Sequence, residues 1–398
     1  MKTAFSSVAT AVSLALSVGS FAHAQHYSQV NLVANTSGVA PVTDPNLVNP
    51  WGISRTSGSP WWISDNGKGL STLYNGAGVI NPLVVTIPKS DPNSKVFPTG
   101  TPTGTIANTS PTDFLLAPGT PAAFLFSTID GTISAWNPTV GIAPGSTPPS
   151  KLATIVVKTT DGSSYTGLTS ATLNGNRYLY AANFNKGTVD VYDTAFHRVT
   201  KLPHTDENRD NGDNKPFTDV HLPQNYVPFN VQDIGNDIVV TFALHEEGQQ
   251  LETDGPGLGY VDIFSSDGQL LQRLEHGDWL NAPWGVALAP LDFGVFSHDL
   301  LVGQFAGGGT SSGSGTIAAY DLATGKFLGP VQDGAGSTLS INGLWAISPG
   351  NSAAAGSYDS ASSPASELYF TAGPNHGTGG LFGYLKPVAT ELTVGNDQ

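Results

Sequence analysis

A weak internal repeat constrains this chain more than any other feature. An apolar or aromatic residue follows a short polar or Pro-containing entry at Trp51, Phe114, Leu168, Phe229, Trp284 and Leu344, with gaps of 63, 54, 61, 55 and 60 residues. Most of these landmarks lead into an apolar strand, a turn and a second strand such as Gly131-Thr-Ile-Ser-Ala-Trp136 or Gly187-Thr-Val-Asp-Val-Tyr192. A unit of that size with several short strands cannot bury its own faces. It must stack on its neighbours, and radial stacking gives a β-propeller. Six landmarks predict an all-β fold, a six-bladed β-propeller of four-stranded antiparallel blades.

The strands are read from period-two alternation and from enrichment in β-branched and aromatic residues. No window outside the N-terminus holds a 3.6-residue apolar period for three turns, so little helix is expected. The alternating segment Tyr27 to Val33 precedes the first landmark and is expected to supply the outer strand of the last blade, closing the ring. Glycines ahead of the third strands suit tight turns between antiparallel neighbours. Pro88 to Ser110, His204 to Pro228, Ala306 to Gly315 and Gly350 to Ser366 exceed ordinary blade turns, and long loops on a rigid scaffold are where specificity sits.

Residues 1–24 read as a secretory signal, with Lys2, an apolar stretch from Val8 to Val18, and Ala22-His23-Ala24 before the cleavage point. Residues 25–390 then form one propeller and 391–398 a tail. Export to the periplasm or the medium is expected, with no transmembrane insertion of the mature chain. The chain has no cysteine, which excludes thiol nucleophiles and zinc–thiolate sites. Lys+Arg is 16 against Asp+Glu 31, so a nucleic-acid partner is excluded by charge.

Asn49-Pro-Trp-Gly-Ile53, Pro228-Phe-Asn-Val231, Ala282-Pro-Trp-Gly-Val-Ala287, Asp299-Leu-Leu-Val-Gly-Gln-Phe305, Gly343-Leu-Trp-Ala346 and Leu368-Tyr-Phe-Thr-Ala-Gly373 together resemble a bacterial family of exported, uncharacterised, propeller-like proteins. The resemblance spans nearly the whole mature chain and implies the fold without an activity. More remotely, the blade pattern is similar to NHL-repeat and gluconolactonase-like six-bladed propellers. In lactonase-type propellers a few inward carboxylates and amides hold one divalent cation that polarises an ester and activates water.

Ligand or channel candidates are the polar residues near the innermost strands, Asn49, Asp113, Asn230, Asn281 and Asn342, with Asp65 and Asn183 at the ends of second strands. Only Asp65 and Asp113 are carboxylates, and the plainer reading of the set is turn-capping through hydrogen bonds to nearby backbone. Asp206, Asn208, Asp210 and Asp213 begin like a calcium loop, within a cluster that also holds Glu207 and Asp219. Gly212 falls one place late and no Glu closes the loop, so calcium competes there with a plain solvated loop. A second acidic loop, His245 to Asp254, reads as a solvated excursion. No His-Glu-x-x-His or nucleophile elbow is present. Trp51, Trp284 and Trp345 read as blade-packing residues rather than a sugar-stacking platform. The lead reading is an exported binding or scaffold propeller whose partner is a small molecule, a glycan or an envelope protein. A metal-dependent hydrolase of a lactone or related ester is the alternative, and a carbohydrate-binding propeller is the third.

Overall fold

A computed structural model describes residues 25–203, 215–306, 314–350 and 366–389. Six antiparallel sheets are arranged in a closed ring. Their innermost strands are Pro50–Ser54, Pro102–Ala107, Tyr165–Leu173, Tyr226–Ile234, Pro283–Leu288 and Leu344–Pro349, which head blades one to six. Blades one to five are four-stranded. In each the innermost strand pairs with the next strand, except that blade two places Phe124–Thr128 beside Pro102–Ala107 after a two-stranded excursion, Leu115–Ala117 with Thr120–Pro121.

The ring closes as the sequence pattern predicts. His26–Ala34 pairs antiparallel with Leu381–Pro387, so the first strand of the chain completes the last blade. Two short strands, Val42–Thr43 and Gln332–Asp333, add to that sheet in parallel and make it six-stranded. Tyr27 anchors the closing strand. Its buried ring packs 4.5 Å from Phe293 and its hydroxyl donates to the Phe293 carbonyl at 2.7 Å. Helix is confined to single turns such as Phe184–Lys186 and Gly294–Phe296 among the described residues.

Apolar clusters lie between consecutive blades. One joins Tyr180 and Val191 of blade three to Val240 and Phe264 of blade four; another joins Val239 and Ile263 of blade four to Val302 and Tyr320 of blade five. This face-to-face burial of one sheet on the next supplies the core that no blade has alone.

Three landmarks depart from equivalent positions. Leu168 and Leu344 lie on innermost strands, but two residues after and one residue before the positions that match Trp51, and Phe114 departs furthest. Phe114 is not on an innermost strand: it sits in a turn with φ of 56°, fully buried among Ala122, Leu125 and Leu179 between blades two and three. The true innermost strand of blade two is Pro102–Ala107, inside the stretch read from sequence as a long loop. Its Thr and Gly residues carry no aromatic landmark. The structure shows why none is needed.

Candidate functional site

Every innermost strand breaks register against its neighbour at the same level. The breaks fall between Pro50 and Ile53, Pro102 and Thr105, Tyr165 and Gly167, Pro228 and Asn230, Pro283 and Gly285, and Leu344 and Ile347. Such bulges re-aim a side chain, and the first residues inside these six are Trp51, Thr103, Thr166, Phe229, Trp284 and Trp345. All are at most 3% exposed. Four large rings and two threonines thus share the axis, and the small residues of blades two and three leave room for the indoles of the others.

The aromatic members form a plug. Trp51 stacks on Trp345 at 3.6 Å between centroids and meets Trp284 edge-on at 6.0 Å and Phe229 edge-on at 6.5 Å. Trp284 reaches past the innermost strand of blade four to donate from Nε1 to the Thr166 carbonyl at 3.0 Å. Trp345 Nε1 donates to Asn49 Oδ1 at 3.1 Å. Trp51 Nε1 is buried with no hydrogen-bond partner. Beside the plug the strands approach too closely for side chains: a Cβ on Gly52 would stand 2.5 Å from the Thr103 carbonyl oxygen, and one on Gly104 2.4 Å from the Leu168 nitrogen.

Outward from this plug, toward the C-terminal ends of the innermost strands, the axis opens into a cavity of about 500 Å3 lined by all six blades. Apolar walls come from side chains such as Ile106, Leu168, Val286 and Ile347, and Trp284 and Asn230 contribute near the plug. Its charged residues are Arg55, Arg177 and Asp233. Arg55 lies over the Trp61 ring, 4.5 Å from its centroid, and donates from Nη2 to the Pro349 carbonyl at 3.0 Å. Arg177 donates from Nη1 to Asn108 Oδ1 at 3.3 Å and from Nη2 to Ser170 Oγ at 3.1 Å. Both guanidinium groups are therefore held in place. Asp233 has one buried carboxyl oxygen with no hydrogen-bond partner, and burial raises its pKa above the ordinary carboxylate range, against the opposing pull of the Asn236 backbone and of Arg177.

The residues singled out from sequence are distributed differently. Asn230 lies at the axis, donating from Nδ2 to the Trp284 carbonyl at 2.7 Å, and lines the cavity. Asn49, Asn281 and Asn342 sit just before innermost strands, at the other end of the axis. Asn281 Oδ1 accepts the Gly255 N–H at 2.7 Å and Asn342 Oδ1 accepts the Asn375 N–H at 3.0 Å. Asn183 is fully buried in blade three, donating to Ser163 Oγ and Asp190 Oδ2, both at 2.9 Å. Asp65 is fully buried in blade one, where Oδ2 accepts the Thr72 N–H at 3.0 Å and burial holds its pKa well above the usual range. Asp113 belongs to a separate rim cavity. The structure does not bring Asp65 and Asp113 together over the channel, and among the described residues no three His, Asp or Glu side chains are grouped to hold a metal ion.

Asp206, Asn208, Asp210 and Asp213 lie outside the described residues. Asp219, at the end of that acidic run, is taken up by an ion pair: Arg273 donates from Nε at 2.5 Å and from Nη2 at 2.7 Å, which holds the Asp219 carboxyl down to about 2. The second acidic loop is exposed over residues 246–251, as expected of a solvated excursion, and only its Glu252 carboxyl is pushed up to about 8 by burial.

Arg55, Arg177 and Asp233 escaped the sequence reading because each is a lone charge at a strand end or turn with no motif around it. The one available signal was positional, since Arg55 follows Trp51 at the end of an innermost strand.

No protein-family model matches the chain. An uncharacterised protein of Acanthamoeba polyphaga mimivirus is 30% identical over 363 residues, covering 89% of this chain and 84% of its own length. A second uncharacterised protein of the same virus is 28% identical over 357 residues, covering 89% of this chain and 78% of its own. These relatives are viral, whereas the motif resemblance pointed to a bacterial group. Among solved structures, a glucose dehydrogenase superposes with a TM-score of 0.50 at 11% identity, over 90% of this chain and 98% of that one. At that identity the likeness concerns the fold alone.

Proposed function

We propose a small-molecule function for this chain, which belongs to the same family as the uncharacterised mimivirus proteins: its axial cavity binds a compact ligand with an apolar body and an anionic group. The observation that carries this reading is the pair of anchored guanidinium groups, Arg55 and Arg177, lining one cavity in a chain where acidic residues outnumber basic ones 31 to 16. Planar, pre-positioned donors suit a carboxylate, and the apolar walls supply the remaining contact. Propeller scaffold, plug and cavity then have distinct tasks. The blades hold six strand ends around one point, and the tryptophans close the floor.

Titration calorimetry with 4-phenylbutyrate and its uncharged amide tests this. The acid should bind and the amide should bind at least about tenfold more weakly, a difference of roughly 1.4 kcal/mol. Arg55→Gln and Arg177→Gln, checked for native circular dichroism, should each reduce binding of the acid. Equal binding of acid and amide would refute the anionic assignment.

Hydrolysis of a lactone or related ester in the same cavity is the second reading, and Asp233 favours it. Water would add to the ester carbonyl carbon with an arginine facing the oxyanion. The acyl C–O bond would then break as the Asp233 carboxyl, whose protonated form burial favours, protonates the leaving alkoxide, and the proton of the added water would restore the carboxyl. The described carboxylates do not fit a divalent cation here, so this reading involves no metal. Turnover of δ-valerolactone, whose leaving alkoxide needs a proton, that disappears in Asp233→Asn would support it; activity unchanged in that variant would exclude it. With residues 1–24 acting as a secretory signal, the site would operate outside the cytoplasm, which fractionation of the expressed full chain would test.

A further inference from the structure

We infer that the axial cavity continues over blade three into a second, acidic cavity, and that the two together take one elongated ligand with a carboxylate at the axial end and an amine at the rim. The inference rests on the reading of the axial end given above. Ser170, Arg177 and Asp233 line both cavities, so the two are divided by a shared wall of three side chains and not by a blade. The second cavity is also about 500 Å3. Its charged residues are Asp113, Asp193 and Asp233 against Arg177, the opposite balance from the axial end.

These groups are built into place. The turn following the innermost strand of blade four is tied to blade three by two reciprocal bonds, Asn236 Oδ1 accepting the Thr172 N–H at 2.8 Å and Asn236 Nδ2 donating to the Thr172 carbonyl at 2.9 Å. Asp193 Oδ1 accepts the N–H groups of Ala195 and His197 at 2.9 and 2.8 Å, fixing that side chain at the cavity wall. Asp113 is ordered through its backbone, its N–H donating to Ser110 Oγ and its carbonyl accepting from Asn108 Nδ2. Asn108 also accepts from Arg177, so one amide ties the Asp113 backbone to the guanidinium of the shared wall. Asp233 Oδ1, buried at this wall with no hydrogen-bond partner, is an acceptor still to be met. Asp113 and Asp193 outnumber the one guanidinium even without counting Asp233, an excess of negative charge that an ammonium group neutralises and a second carboxylate would not. A ligand spanning the wall would place opposite charges at opposite ends, which sets its length as well as its chemistry.

The experiment is calorimetry on the full chain with a series of unbranched ω-amino acids of roughly four to twelve carbons, each compared with the alkanoate of equal length. One length should bind at least about tenfold tighter than its alkanoate, with shorter and longer members losing the gain. Asp113→Asn should remove that gain and leave alkanoate binding unchanged, while Arg55→Gln should weaken both series. If ω-amino acids bind no tighter than alkanoates at any length, or if the gain survives both Asp113→Asn and Asp193→Asn, the rim subsite is refuted while the axial site stands. If neither series binds, the axial reading fails and this inference fails with it.

Discussion

The indole rings of Trp51 and Trp345 stack at 3.6 Å with 19° between their planes, joining the first blade to the last across the seam where the ring closes. Both rings are almost completely buried, yet they differ in one respect: Trp345 Nε1 is bonded to Asn49 and Trp51 Nε1 has no partner. Truncating either residue to Ala removes a large buried ring and should cost about 3–5 kcal/mol in chemical unfolding. The Phe substitutions separate the two. Trp51→Phe loses packing area alone, whereas Trp345→Phe also strands Asn49 Oδ1 and should be the more destabilising by about 1 kcal/mol. Equal losses would mean that the Asn49 bond adds nothing to the seam.

The closing strand gives a second expectation. His26–Ala34 supplies seven cross-strand partner pairs to Leu381–Pro387 and carries the Tyr27 anchor. A chain beginning at residue 36 leaves Leu381–Pro387 as an unpaired edge and exposes Phe293. It should unfold at lower denaturant with a smaller m-value and should aggregate at its new edge. Supplying residues 25–35 as a peptide should restore part of the stability.

Stability should fall on both sides of a mildly acidic optimum. The folded Asp219 carboxyl, held by Arg273, sits at about 2, below its unfolded value, so its contribution is full above the unfolded value and lost as pH drops toward 2. Asp262 runs the other way. Burial and the neighbouring Asp219 push it up to about 8, so the folded state keeps a proton that the unfolded state releases, and stability declines between about pH 4 and pH 8. Glu252, also at about 8, adds to that decline. Thermal melts of Asp262→Asn against the parent should coincide near pH 4 and diverge in favour of the variant toward pH 8. A flat parent profile over that interval would show that neither carboxyl keeps its proton.

Gly104→Ala probes the axial approach of blades two and three. Its Cβ would meet backbone atoms, Leu168 N at 2.4 Å and the Gly167 carbonyl carbon at 2.9 Å, and no flexible side chain is there to yield. A loss of about 1–3 kcal/mol is expected, with a companion loss for Gly52→Ala. Gly175→Ala, at a hairpin tip with open space around its Cβ position, removes no contact and should show only the cost of a positive φ.

Much of this architecture was legible because blade formation depends on local pattern. Alternation marks most strands, and the segment beginning at Tyr27 precedes the first landmark, which assigns it to the last blade. The landmarks at Trp51, Phe229 and Trp284 fell on axial bulge positions, since large rings there are required by packing. Blade two was misread for a physical reason. With the axis filled by four aromatic rings, its inner strand needs a small residue, Thr103, so the signal vanished and the nearby Phe114 took its place. The glycines ahead of third strands also serve two ends. Gly131 and Gly187 adopt positive φ in turns as expected, but Gly380 is needed for close approach, its Cβ position lying 1.7 Å from the Leu47 carbonyl oxygen. The cavity was not legible at all. Arg55, Arg177 and Asp233 are far apart in the chain and line one cavity only because the blades converge on the axis, while the carboxylates Asp65 and Asp113 are carried to different places.

The most direct test is a crystal structure of the full chain grown with 4-phenylbutyrate. The account predicts the carboxylate within hydrogen-bond distance of Arg55 or Arg177, with the phenyl ring against the apolar walls above Trp284. Calorimetric binding accompanied by a ligand located at the opposite end of the axis, or on the outer surface of the blades, would contradict it.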